Sequence, residues 1–231
     1  MTSSWVFDER VHAGAEHFDP EHVNRFDEKL PFDPVDEVTL FQELGIAPTD
    51  TVVDMGAGTG TFSLAIADHC DRVVAVDISE MMLEVLRAKM DEEDTENIEI
   101  VNEGFLSYDH EAAPASFVFS KDALHHLPDF WKVEALKHMG NALEEGGLLR
   151  LRDFVFSFDP TDSTETITSW IETQRTETDF TKEEIDLHFR EEFSTYGFVL
   201  EEMLEAVGFE LIDITYETEF YAKYTCEWMN A

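Results

Sequence analysis

Eight consecutive residues, Val53-Asp54-Met55-Gly56-Ala57-Gly58-Thr59-Gly60, put a carboxylate just ahead of three alternating glycines. Glycine lets a chain turn tightly and brings backbone N–H groups close to a ligand, above all where a helix begins. A second carboxylate, Asp77, follows Gly60 by 17 residues and ends the apolar run Val73-Val74-Ala75-Val76. At the tip of a strand beside a glycine turn, such a group suits the two hydroxyls of a ribose. The charge of Asp54 narrows the ligand further. Beside a pyrophosphate it repels; beside an ammonium or a sulfonium it attracts, directly or through water. The dinucleotide fingerprint also requires glycine at its sixth position, which here is Thr61. An NAD(P)-dependent oxidoreductase is therefore the weaker alternative.

These residues need strands and helices to hold them. Residues 51–55 form a short β-branched run stopped by Gly56, which reads as a buried strand. Phe62, Ala65 and Ile66 then recur at helical spacing over 60–69. Residues 73–77 give a second strand, and Ser79 suits the N-cap of a helix over 80–90. Strands follow at 98–101 and 115–120. Asp129 is expected to cap a helix running to about 143, closed by Gly146-Gly147 ahead of a fifth strand at 148–156. Strands alternating with helices at this pitch predict a parallel sheet. After Asp159 the alternation stops. Residues 162–190 read as two polar helical pieces, with Thr181 and Glu184 spaced as a capping box. A helix over 198–207 ends at Gly208. The last two strands, near 209–216 and 219–226, are too close for a crossover and must pair antiparallel. Residues 7–44 read as short helices and turns broken by Pro20, Pro31 and Pro34.

With these motifs in this order, the chain resembles the class I S-adenosylmethionine-dependent methyltransferases, in particular their small-molecule branch. The likeness covers about 51–156 and extends more loosely over the C-terminal helix and hairpin. Residues 54–60 match the family's glycine-rich first motif, and Asp77 matches its ribose-holding acid. Val118-Phe119-Ser120-Lys121-Asp122-Ala123-Leu124-His125-His126-Leu127 looks like the segment after the fourth strand, and Gly146-Gly147-Leu148 like the turn into the fifth. The resemblance implies a doubly wound, Rossmann-like α/β fold. Its seven strands, mostly parallel, would run in the order 3-2-1-4-5-7-6 with strand 7 antiparallel. It also implies S-adenosylmethionine as cofactor and S-adenosylhomocysteine as product, held by Asp54, Gly56, Ala57, Gly58, Thr59, Gly60 and Asp77. Ile78 and Met81 fit either adenosine contact or core. Ser120 and Lys121 end the fourth strand at the carboxyl edge, where ligands bind. One motif departs from the family. The acidic triplet that bonds the adenine amino group is replaced by Glu103-Gly104-Phe105-Leu106, leaving Gly104 and Phe105 to wall the base.

The acceptor side is less defined. His125, Arg152, His188, Arg190 and Tyr196 are candidate contacts, each with an ordinary alternative as a packed, ion-paired or solvated residue. Adjacent His125 and His126 do not share a helix face, so no metal site is expected. No catalytic residue is assigned. Methyl transfer from a sulfonium is a direct displacement, and a general base is needed only when the acceptor must lose a proton. The chain reads as a single domain over 1–231. Residues 1–45, including Arg25, would form a lid, and 159–195 a helical insertion, an acceptor-side lid or a homodimer contact. A non-catalytic module binding the same cofactor is a further alternative.

Asp and Glu number 52 against 15 Lys and Arg, for a formal charge of -37. The acids are spread through segments of good apolar periodicity, which describes a folded domain with an acidic shell. Such a shell repels itself in dilute buffer, and at 1 M salt that repulsion reaches only about 3 Å. A protein adapted to a salt-rich cytoplasm is the expectation. No basic stripe is present to neutralise phosphates, which disfavours a nucleic-acid partner. Methyltransferases of nucleic-acid amino groups often carry an Asn/Asp-Pro-Pro-Tyr motif where this chain has Ser120-Lys121-Asp122-Ala123, so a small-molecule acceptor is expected. No run is long enough to cross a membrane, and residues 1–14 lack an apolar leader segment. Two cysteines, Cys70 and Cys226, are too few for a disulfide framework.

Overall fold

The computed structural model describes residues 5–178 and 181–229. Five apolar runs form the parallel part of one sheet: β1 (Thr51–Met55), β2 (Arg72–Val76), β3 (Ile98–Val101), β4 (Ala115–Lys121) and β5 (Leu143–Phe156). A two-residue strand, β6 (Thr195–Tyr196), pairs with the end of β5. The hairpin β7 (Phe209–Thr218) and β8 (Tyr221–Trp228) closes the sheet, β8 running antiparallel to both neighbours. The order is β3-β2-β1-β4-β5-β8-β7. This is the expected 3-2-1-4-5-7-6 arrangement, with the hairpin renumbered by the short β6.

Both faces of the central strands β1, β2 and β4 are covered, which is why those strands are mostly apolar. On one face lie α4 (Val35–Glu43), α5 (Thr61–Ala67) and α6 (Glu80–Glu93). Their Phe41, Phe62, Ile66, Leu83 and Leu86 pack against Val52, Val73, Phe117 and Phe119. On the other lie α7 (Asp129–Ala142) and α10 (Gly197–Val207), whose Leu136, Met139 and Leu204 meet Val53, Met55, Leu149 and Tyr224. Each such side chain contributes roughly 1.5–3 kcal/mol when fully buried. Gly208 ends α10 in the left-handed region at φ 112°.

Two boundaries differ from the sequence reading. β5 begins at Leu143 rather than after the glycine pair, because Gly146, at φ 81°, absorbs an irregularity in the β4–β5 pairing and lets the strand continue. Pro128, not Asp129, is the N-cap of α7. Asp129 sits in the first turn, where its carboxylate accepts from Lys132 Nζ at 2.8 Å.

The remaining elements gather at the carboxyl edge of the parallel strands. The N-terminal stretch supplies α1 (Glu9–His12), a 3₁₀ turn, α2 (Pro20–Val23) and α3 (Phe26–Lys29). After β5 come α8 (Ser163–Glu177) and α9 (Lys182–Glu191), the latter opened by the Thr181–Glu184 capping box. Glu37 of α4 is only 1% exposed and is the buried anchor of the N-terminal part. It accepts from Arg150 Nε and Arg152 Nη1, both at 2.8 Å. Among the described residues, no helix is long and apolar enough to cross a membrane.

Candidate active site

The turn between β1 and α5 is built around left-handed glycines: Gly56 at φ 77°, Gly58 at 55° and Gly60 at 77°. A Cβ on Gly56 would stand 2.5 Å from Ala123 Cβ, and one on Gly60 would stand 2.1 Å from Leu86 Cδ1. No other residue fits either place without moving its neighbour. The turn is tied to β2, since Val76 O accepts from the N–H groups of Gly56 (2.9 Å) and Ala57 (3.0 Å). Asp77 fixes the other side. Its Oδ2 accepts from Gly58 N at 2.8 Å and its Oδ1 from Ser79 N at 2.7 Å. A carboxylate offers about four lone-pair sites, so both oxygens keep capacity for a ligand hydroxyl. Burial raises the Asp77 pKa. Asp54, 2% exposed, accepts from Ser63 Oγ at 2.6 Å. Burial and then the nearby Asp77 charge push its pKa up to about 7 against the pull of Ser63.

These groups open on a cavity of about 360 Å³, within the roughly 300–1,000 Å³ common for small-molecule sites. Phe105 walls it from the loop after β3. Its ring lies 3.7 Å from where a Gly56 Cβ would be.

The N-terminal segment contributes a large part of the wall. Arg10 donates to Ile78 O at 2.8 Å and to Asn102 Oδ1 at 3.2 Å, clipping α1 across the loops after β2 and β3. Glu9 accepts from Leu106 N at 2.9 Å, and burial pushes its pKa up to about 7. Ser79 Oγ donates to His17 O at 2.5 Å. Thr59 Oγ1 donates to Asp27 Oδ1 at 2.5 Å, and Lys89 pairs with Asp27 at 2.7 Å. The glycine turn is therefore bracketed by residues about 30 positions earlier and later in the chain.

A different part of the same cavity is lined with imidazoles. His125 and His126 lie in a 3₁₀ turn after β4, and His188 lies on α9. His125 Nδ1 is 2.5 Å from Asp153 Oδ1, while Asp153 Oδ2 accepts the His125 backbone N–H at 2.9 Å. His125 Nε2 is 3.3 Å from Glu192 Oε2, and His188 Nδ1 reaches the same oxygen. Burial opposes a charge on His125, yet Asp153 and Glu192 outweigh it and raise its pKa to about 10. His126 is pulled the other way by burial and by His125.

Residues 52–147 match the family model described as a methyltransferase domain. The chain is 26% identical over 117 residues to an uncharacterized methyltransferase of Staphylococcus carnosus, covering 51% of this chain and 53% of that one. It is 37% identical over 67 residues to the ribosomal RNA small subunit methyltransferase A of Thermotoga petrophila, covering 29% and 25%. Its fold superposes on magnesium protoporphyrin IX methyltransferase from Synechocystis, solved with S-adenosylmethionine bound. The TM-score is 0.67 at 15% identity, over 98% of this chain and 100% of that one. Over residues 52–147 the chain is therefore similar to methyltransferase domains, and its fold is that of S-adenosylmethionine-dependent methyltransferases. It spans about half the length or less of the curated relatives it matches.

The matched stretch contains the glycine turn, Asp77, His125 and His126, whereas the N-terminal segment and α8–α9 lie outside it. Of the residues singled out as cofactor contacts, Asp54, Gly56, Ala57, Gly58, Thr59, Asp77, Ile78, Gly104, Phe105 and Lys121 line the cavity. Three do not. Gly60 is buried behind it as the N-cap of α5. Met81 is on the wrong phase of α6, and Met82 takes the place at the wall. Ser120 is buried with its hydroxyl unbonded among the described residues; the alternation along β4 gives Phe119 and Lys121 to the cavity instead. Of the acceptor candidates, His125 and His188 line the cavity and three others do not. Arg152 is drawn away by Glu37 and Glu217. Arg190 pairs with Glu183 at the surface, at 2.8 Å. Tyr196 stacks on Phe198 and packs edge-on against Phe156 and Phe158. Arg25 is exposed. Glu9, Arg10, His17 and Asp27 escaped the sequence reading because no local motif marks them.

Proposed function

We propose that the chain binds S-adenosylmethionine in this cavity and transfers its methyl group to a small-molecule acceptor. The observation that carries the reading is the pair Asp54 and Asp77 on consecutive strand tips around the glycine turn. An anionic wall favours the ammonium and sulfonium of the cofactor and disfavours a pyrophosphate. Asp77, held by two backbone N–H groups, is oriented to accept from a ribose diol. Gly104 and Phe105 wall the adenine. Displacement at the methyl carbon needs positioning more than proton transfer. The N-terminal segment and the α8–α9 region supply that enclosure as lids, through Glu9, His17, Trp170 and His188. A small acceptor suits an enclosed cavity whose Lys121 is already paired with Asp122, in a chain whose net charge of -37 opposes nucleic acid. A cytoplasmic location accords with the two free, buried cysteines.

Asp77→Ala should remove charge-assisted hydrogen bonds of about 1.5–3 kcal/mol, a loss of roughly ten- to hundred-fold in affinity. Calorimetric titration with S-adenosylhomocysteine measures it. Unchanged affinity rejects the role of Asp77, and binding of NAD in place of the sulfur nucleotides restores the oxidoreductase alternative.

A further inference from the structure

We infer that His125, His126 and Glu192 form a site for one divalent cation of the imidazole-preferring kind, with zinc as the type case. One ring nitrogen from each histidine and a carboxylate oxygen of Glu192 lie within 4.8 Å of one another. Zinc bonds of about 2.0–2.2 Å require tetrahedral ligand edges of about 3.4 Å. The His125 Nε2 to Glu192 Oε2 separation is 3.3 Å. The surroundings are those of a ligand set. Asp153 grips the His125 ring at Nδ1 and is itself fixed by the His125 backbone N–H, which presents Nε2 as the coordinating atom. Among the described residues, His126 Nδ1 is buried with no hydrogen-bond partner, a costly state that coordination relieves. His188 Nδ1 stands beside the same Glu192 oxygen as a further imidazole.

The sequence pointed the other way because neighbours on an α-helix diverge. Here they occupy a three-residue 3₁₀ turn, with ring centroids 4.3 Å apart and planes 36° apart. All three residues line the cavity, so a coordination position is open to an acceptor. A bound cation lowers the pKa of a coordinated hydroxyl or thiol. The deprotonated atom then forms its bond to the methyl carbon as the carbon–sulfur bond of the sulfonium breaks, giving the thioether, while the proton goes to solvent. This use rests on the methyl-transfer reading; cation binding itself does not.

The test is titration of tag-free protein, stripped with chelator and dialysed, with cobalt(II) chloride. One equivalent should bind, with the intense visible absorption of four-coordinate cobalt, and His126→Ala and Glu192→Gln should each weaken uptake at least tenfold. Absence of stoichiometric uptake by the wild type overturns the site. So does full uptake by both variants while they still unfold cooperatively. Where a variant misfolds, cobalt-induced paramagnetic shifts of the His125 and His126 ring protons in the wild type decide: shifted signals support the site, and unshifted ones overturn it. The Asp77 titration is independent of all these results.

Discussion

The two ends of the cavity are built in opposite ways. At the glycine end, Asp54, Gly56, Gly58, Asp77 and Ser79 fall within 26 consecutive residues, and the bonds that fix Asp77 span at most 19 positions. At the histidine end, His17, His125, Asp153 and the pair His188 and Glu192 come from four separate parts of the chain. Asp153 lies 28 positions from His125, and His188 lies on the second of the two added helices, with Glu192 as its C-cap. A local site needs only one strand–turn–helix to be correct. A dispersed site needs the whole fold, including the N-terminal segment, to be in place. Disturbing a long-range tether should therefore harm the histidine end first.

Glu37 is the tether to break. It joins α4 to β5 across 113 positions and holds two guanidiniums where Arg150 is only 6% exposed. Glu37→Ala leaves those charges without their carboxylate, and removing one partner of a buried pair costs about 3–5 kcal/mol. Urea denaturation should show a loss of that size. Because α4 follows the wall-forming α1–α3, nucleotide binding should weaken as well. A loss below about 1 kcal/mol would mean that water reaches the pair and that the tether is weak.

The two ends also differ in which proton controls them. Asp54 goes from 3.8 to about 7 on folding, and Glu9 from 4.5 to about 7. Between about pH 4 and 7 the folded state keeps protons that the unfolded chain has released, so stability falls as pH rises through that window and levels off above it. Affinity for the cationic cofactor moves the other way, rising as Asp54 ionises and flattening above about pH 7. Calorimetric titration with S-adenosylmethionine across that range should show the rise in wild type and in Glu9→Gln, and a flat profile in Asp54→Asn. A rise that survives Asp54→Asn but is lost when Glu9→Gln is added assigns the titration to the N-terminal segment and breaks the division between the ends, whereas one that survives both belongs to Asp77.

The same division explains what was legible in the sequence. Strand periodicity and the glycine turn located β1 to β4 within a residue, because a buried parallel strand must be apolar and a left-handed turn must be glycine. Asp77 was found because a strand tip fixes its position. Met81 was chosen over Met82 because helix phase at a ligand wall is set by tertiary packing. An ion pair was the ordinary reading of Arg152, but its partner could not be named because Glu37 is 115 positions away. His125 and His126 looked incompatible because a 3₁₀ turn is not distinguishable from the start of a helix by composition. Glu9 and Arg10 carry no motif at all; their role comes from lying across loops nearly 100 residues later.

The acidic shell gives the smallest effect per charge and the last way to sharpen the comparison. Surface pairs such as Arg72–Glu99 and Arg87–Glu80 are few beside a net charge of -37. Salt reduces the reach of a charge from about 10 Å at 0.1 M to about 3 Å at 1 M, relieving self-repulsion at the surface while barely touching buried pairs. Melting temperature should therefore climb from dilute buffer into molar KCl, and a melting temperature indifferent to salt counts against adaptation to a salt-rich cytoplasm. The Glu37→Ala deficit should persist at every salt concentration. If KCl erases that deficit, Glu37 belongs electrostatically to the shell, and the histidine end is held by packing alone.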